Sequence, residues 1–291
     1  MIIVKLQGGF GNQMFQYAFG KCLATKHNTK LLLDTTFFEK IKNNFDYTPR
    51  KYELNLLKIS SELATEEDIN FVKKNKRSYD FLRPYYRRPF IRERGIRFCP
   101  ELLNVADHSL LTGYWQTEKY FKNIESLIRK EFTFRDDLKG DYYIQLQKEI
   151  EATHSISLHF RRGDYVDNPK VNRQHGICPP EYYRKALEYL IEKIDNPLFF
   201  VFSDDIGWIK KHFQIAYPTV FVEKSDESQH SDFRLMSFCK HNIIANSSYS
   251  WWSAWLNENP EKTVIAPARW FADNKYQFQT NDLLPDSWIK M

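Results

Sequence analysis

Apolar residues recur along this chain in two alternating rhythms. Short unbroken runs are strands, and longer stretches with a period near 3.6 are amphipathic helices. Ile2 to Leu6 is such a run, Gly8, Gly9 and Gly11 form a tight turn, and Phe15, Phe19, Cys22 and Leu23 line one face of a helix over Asn12 to Lys26. Lys30 to Leu33 is a second strand, ending at Asp34. Strand, turn, helix and strand in so short a span is a βαβ unit, which requires parallel strands with the crossover on one face. Ser61 to Lys76 and Glu118 to Lys130 read as helices and Ser109 to Thr112 as a strand. Arg77 to Arg97, interrupted by Pro84 and Pro89, reads as irregular or short helical backbone.

The second half repeats the rhythm more regularly. Strands are expected at Ser155 to Phe160, Leu198 to Phe202, Thr219 to Val222, Asn242 to Ala245 and Thr263 to Ile265. Helices are expected between them at Pro180 to Ile194, Asp205 to His212, Asp232 to Cys239 and Tyr249 to Glu258. A polar helix, Asp141 to Ala152, hands over to a new apolar strand and places a domain boundary at residue 150, giving 1–150 and 151–291.

Composition narrows the class. With 291 residues, 42% hydrophobic and 27% charged, the chain is globular and large enough for two α/β domains. Its net charge of +5 suits an anionic ligand or a membrane surface as readily as nucleic acid, so the sign alone selects nothing. The four cysteines are far apart with no C-x-x-C pair, which favours reduced thiols and a cytosolic setting. No secretory leader and no apolar run of spanning length is present, so any membrane contact would be peripheral.

Chemistry concentrates in four places. Gly8-Gly9-Phe10-Gly11-Asn12 joins a strand to a helix, where backbone N–H groups meet phosphate, and Asp34 stands where a ribose-binding acid would. Met14 replaces the third glycine of a dinucleotide fingerprint, which weakens that reading. His159-Phe160-Arg161-Arg162-Gly163-Asp164-Tyr165 follows an apolar strand, so its polar residues fall at the carboxyl end of a sheet. Two adjacent guanidiniums there call for an anion, and strand alternation gives them different jobs, one binding and one bracing against Asp164. Ser203-Asp204-Asp205 ends the next strand; its carboxylates could accept guanine protons, hold a metal or cap a helix, with capping stronger for Asp204 than for Asp205. Asn246-Ser247-Ser248 lies between strand and helix as a second phosphate cradle, or as an ordinary N-cap. Trp251, Trp252 and Trp255 read as core, leaving Tyr114, Trp115 and Tyr165 as candidates for a sugar platform.

Together these strings resemble the bacterial α-1,2-fucosyltransferases of glycosyltransferase family 11. The similarity runs through GGFGNQMFQYAFGK, GYWQTEKYF, HFRRGDYV, FSDD and SFCKHNIIANSSYSWWSAWL in order. The resemblance implies an α/β, GT-B-like fold of two Rossmann-like domains facing a central cleft, with the acceptor on the first domain and GDP-β-L-fucose on the second. It implies inverting, metal-independent transfer of fucose to O2 of a galactose in a glycan, without any other cofactor. On it Arg161 holds the diphosphate, His159 and Asp205 face guanine, Asn12 approaches the donor, and Ser247 with Ser248 form the phosphate cradle, to which the residue reading adds Asn246. Asp164 and His159 are the candidates for the base, with Asp164 preferred.

The implied partners are GDP-fucose and a galactose-containing glycan, with lipid linkage as an extension and no nucleic acid. The basic aromatic segment Arg83 to Arg97 has two readings, a contact with anionic lipid at the inner face of the cytoplasmic membrane or a solvated face whose rings pack inward. The second is favoured. Rivals to the main reading are a fucosyltransferase of α-1,6 or protein O-linkage, an NAD-dependent oxidoreductase, and a non-catalytic glycan-binding module.

Overall fold

A computed structural model describes residues 1–41, 50–74, 79–224 and 230–291, apart from the side chains of Asp164 and Asp167. The chain divides into two units, Met1–Asp136 with Gln279–Pro285, and Asp137–Phe278 with Asp286–Met291.

The first unit contains β1 (Ile2–Lys5), α1 (Phe10–His27), β2 (Leu31–Asp34), α2 (Thr36–Ile41), β3 (Glu62–Leu63), α3 (Glu66–Lys74), β4 (Phe90–Arg92), β5 (Ser109–Thr112) and α4 (Glu125–Glu131). Its five strands lie in the order β3-β2-β1-β5-β4 and every pairing is parallel. Alternation sorts the side chains: Ile3, Leu32 and Leu110 pack with Ile69 and Val72 of α3, while Val4 and Leu31 face Gly20 of α1.

The second unit contains α5 (Asp141–Ala152), β6 (His154–Phe160), α6 (Gly163–Asp167), α7 (Pro169–His175), α8 (Pro180–Ile191), β7 (Pro197–Ser203), α9 (Ile206–His212), β8 (Thr219–Phe221), α10 (Ser231–Phe238), β9 (His241–Ile243), α11 (Ser248–Leu256), β10 (Val264–Ala266), α12 (Asn274–Gln277) and β11 (Ile289–Lys290). Its six strands run β11-β10-β9-β6-β7-β8, again all parallel. Counted within the unit this is 6-5-4-1-2-3, the doubly wound order, in which the connection reverses direction between β6 and β9. One face packs Ile156, Leu158, Phe160, Phe199 and Val201 against α8 and α9; the other packs Phe200 and Phe202 against α5 and α10. Burial on both faces explains why these strands are unbroken apolar runs.

Four sequence expectations shift. The division falls ahead of α5, because Tyr143, Leu146 and Ile150 pack with Phe200 and Phe202 of the second unit. The helix expected from Ser61 starts late: Leu63 pairs with Leu33 as strand β3, and Thr65 with Asp68 then forms a reciprocal cap before α3; residues 75–76 of that expectation lie outside the described residues. The segment read as irregular contains edge strand β4, too short for a periodic signal, and residues 77–78 of it are likewise not described. Glu118 to Lys130 begins with two single 3-10 turns and becomes regular only as α4.

Candidate active site

Open α/β sheets bind ligands beyond the carboxyl ends of their strands, where the winding reverses. In the second unit that point lies between β6 and β9. The strings after those strands, from His159 and from Asn246, therefore belong together although 80-odd residues separate them.

Asp204 organises the first string. Its Oδ2 accepts from Arg161 Nη1 at 2.6 Å and its Oδ1 accepts from the Arg162 backbone N–H at 2.8 Å. A Cβ on Gly163 would stand 2.5 Å from Asp204 Oδ2, so glycine is what lets the chain pass this close to the carboxylate. Asp205, 44% exposed at its side chain, does the capping: its Oδ1 accepts from Trp208 N at 3.2 Å at the start of α9. The roles of the two aspartates are thus the reverse of the sequence expectation. Arg162 is the bracing arginine, 3.4 Å above the Trp208 ring and 3.4 Å from Asp205 Oδ2. Its brace is Asp205 with Trp208; whether Asp164 joins lies outside the described side chains. Arg161 remains at the surface pole of β6, with the Tyr165 ring 5.3 Å from its guanidinium carbon.

His159 is nearly buried and its Nδ1 has no hydrogen-bond partner. Burial pushes its imidazolium well below the ordinary range, outweighing the pull of Asp204, so the ring is neutral at neutral pH. A desolvated neutral imidazole is a weak base but a good hydrogen-bonding surface. Asp232 of α10 is the residue sequence reading missed. Its Oδ1 is buried without a partner, and burial raises its carboxyl to about 6 against the opposing effects of Lys224 and His230. Tyr249 of α11 lies between His159 and His230, with its ring 6.3 Å from His159 and its hydroxyl 3.3 Å from His230 Nδ1. A buried polar atom without a partner is what a polar ligand group would satisfy. An aspartate in the first turn of a helix carries no sequence signal of this kind.

In the second string Ser247 caps α11, its Oγ accepting from Tyr249 N at 3.3 Å, and Ser248 is the first residue of that helix. The amino end of a nine-residue helix therefore opens beside the arginine strand. Asn246 has a different task. Its Nδ2 donates to the carbonyls of His175, Gly176 and Trp270 at 3.0 to 3.2 Å, so its amide tethers the loop after α7 and is not presented to a ligand. Tyr165 stacks on His175 and donates to Asn246 O at 3.3 Å.

The first unit has its own reversal point, between β1 and β5. Asn12 and Gln116 meet there, Gln116 Nε2 donating to Asn12 Oδ1 at 2.7 Å. Gln13 and Gln16 hold the loops: Gln13 Nε2 donates to Gly8 O and Lys51 O, and Gln16 Nε2 donates to Gly113 O at 3.0 Å. Glu93, directly after β4, accepts the backbone N–H groups of Tyr114 at 2.7 Å and Trp115 at 2.9 Å. Desolvation raises its carboxyl to about 7. Trp115 is fully buried against Phe19 and Tyr120 and so is core, not a sugar platform; Tyr114, 41% exposed, keeps that possibility. Asp34 caps α2 by accepting from Thr36 N at 2.9 Å and is buried, which withdraws it from a ribose.

Among the described residues no cluster of three His, Cys, Asp or Glu side chains is arranged to hold a metal. No described helix is long and apolar enough to cross a membrane.

The model of glycosyl transferase family 11 matches residues 1–291. An O-antigen biosynthesis glycosyltransferase of Escherichia coli, WbnK, is 34% identical over 98% of this chain and 99% of its own length. An α-1,2-colitosyltransferase of the same organism is 32% identical over 100% of this chain and 99% of its own. The human galactoside α-(1,2)-fucosyltransferase 1 is 24% identical, covering 86% of this chain and 63% of that protein. A family match over every residue, with the glycine, arginine and serine strings placed at the reversal points of two parallel sheets, makes this chain a glycosyltransferase that belongs to glycosyl transferase family 11.

Proposed function

We propose that the chain is an inverting α-1,2-fucosyltransferase that moves L-fucose from GDP-β-L-fucose to O2 of a galactose in a glycan. The observation that carries this reading is the guanidinium of Arg161, fixed by Asp204 at the reversal point of the second sheet, beside the serine-capped amino end of α11. As the acceptor oxygen attacks the anomeric carbon, the bond to GDP breaks on the opposite face and negative charge grows on the β-phosphate. Arg161, Ser247, Ser248 and the helix N–H groups act where that charge develops, and such a group is worth about 3 kcal/mol of barrier, on the order of a hundredfold in rate. His159, Asp205 and Asp232, whose Oδ1 has no partner, suit the guanine edge, whose N1 and N2 protons need acceptors. Asn12, held by Gln116, keeps the donor-side role that the resemblance implies.

The acceptor proton goes to a base and then to water. The lowered basicity of His159 favours Asp164 for this role. Asp164→Asn is expected to lower kcat by about a hundredfold or more with donor binding intact; near wild-type turnover removes Asp164 from the mechanism.

The relative that transfers colitose supports a second reading of the donor. Incubation with GDP-fucose and a panel of β-galactosides, in EDTA and with product linkage read by NMR, tests the assignment. Formation of an α-1,2 product is expected. Transfer only from GDP-colitose selects the second donor, another linkage overturns the regiochemistry, and loss of activity restored by Mg²⁺ or Mn²⁺ overturns metal independence.

A further inference from the structure

The basic segment before β4 does not fold its rings inward as a whole. Two single turns, Asp80–Leu82 and Tyr85–Arg87, build a surface knuckle at which Phe81 is 67% and Leu82 74% exposed. The knuckle is braced from within. Arg88 Nη2 donates to Phe81 O at 2.7 Å and its Nε to Arg83 O at 3.2 Å, while Arg83 lies over the Tyr79 ring and 3.4 Å from Asp80. Tyr85 and Tyr86 are half-buried, so the segment divides its aromatics between packing and exposure.

Charge here has one dominant sign. Residues 79–97 carry six arginines against Asp80 and Glu93. The Asp80 side chain is almost wholly covered, and Glu93 lies beyond the far end of β4. An exposed apolar pair rimmed by Arg83, Arg87 and Arg88 is complementary to a surface that is apolar beneath and anionic above.

The knuckle also has a defined place. Ala106 N donates to Tyr86 O, Leu110 N to Pro89 O and Ser109 Oγ to Arg88 O, which puts it at the amino-terminal edge of the first sheet. Asn12 and Gln116 lie at the carboxyl edge of the same sheet, because its strands are parallel.

We propose that this knuckle docks the first unit on an anionic lipid surface, Phe81 and Leu82 entering the interface and the arginines meeting lipid phosphates. An exposed apolar pair within a rim dominated by arginine fits a bilayer better than a protein, whose interface would require shaped pockets and acceptors of both kinds. The inference does not depend on which sugar nucleotide the second unit binds.

Sedimentation of the purified chain with protein-free vesicles tests it. Vesicles of phosphatidylethanolamine with phosphatidylglycerol are expected to bind the chain about tenfold or more tighter than phosphatidylcholine alone, with affinity falling as salt rises. Phe81→Ser with Leu82→Ser should weaken that binding roughly tenfold or more, and Arg87→Ala about fivefold. Circular dichroism and transfer to a soluble acceptor should match the parent chain, since these residues stand at the opposite edge of the first sheet from Asn12 and Gln116. Equal binding to both vesicle types, or folded variants that sediment like the parent, overturns the proposal. So does binding confined to native membranes and abolished by protease, which would assign the knuckle to a protein.

Discussion

Single side chains at this site are placed by carboxylates more than by cations. Asp204 and Asp205 are adjacent in sequence and chemically identical, yet one clamps Arg161 and the other caps α9. Strand alternation points consecutive residues to opposite sides, but which side holds the arginine is a tertiary fact, and so the two roles could not be separated beforehand. Glu93 shows the same limit, since only its position after β4 brings it to the Tyr114–Trp115 turn. Its folded pKa of about 7 stands above the unfolded value of 4.5, so the native state keeps a proton that the unfolded chain has already released. Glu93 therefore contributes stability below pH 4.5 that is lost as pH rises to 7, up to about 3 kcal/mol in all. Melting curves across this window should show the parent chain losing stability with rising pH relative to Glu93→Gln; parallel curves would disprove the assignment.

At the scale of elements, the apolar rhythm located α1, α5, α8 and the central strands, because each buries a continuous face or run. It failed at β3, β4 and the single turns, which are too short to display a period and exist through pairing with a neighbour. It also left α6 and α7 unread between the arginine string and Pro180; Asn168, whose Oδ1 accepts from Lys170 N and Val171 N, caps the second of them. Helix α1 lies so close to its sheet that a Cβ on Gly20 would stand 2.3 Å from Val4 Cγ2 and 2.8 Å from Leu31 Cδ1. Gly20→Ala removes a helix-weakening glycine, but overpacking against β1 and β2 wins, and we expect a net loss of about 1–3 kcal/mol in denaturant unfolding. A gain in stability would mean that the helix moves away at no cost.

At the scale of the whole molecule, two parallel sheets each place their functional strings at the reversal of winding, and the chain's last segments are shared between the units. Gln279–Pro285 belongs to the first, where Asp282 pairs with Lys119 at 2.5 Å, and Asp286–Met291 supplies edge strand β11 to the second. Trp288, nearly buried, packs 5.3 Å from Trp251 in the tryptophan cluster beneath α11. Trp288→Ala should therefore cost about 3–5 kcal/mol and lower the unfolding midpoint, despite lying just ahead of an edge strand; an unchanged midpoint would show that the Trp288–Trp251 contact adds nothing to stability. The amino-acid sequence by itself determined the α/β class, the core tryptophans, the arginine string and the family resemblance, because these rest on local periodicity and on residue identity. Only the tertiary structure decided that Asp204 holds Arg161, that Asp205 caps α9, that Asp232 is buried with an unpartnered Oδ1, that Trp115 is core and that Phe81 and Leu82 face outward. Those outcomes depend on contacts between segments far apart in the chain, where burial and partner geometry, not local preference, set which side chain faces which.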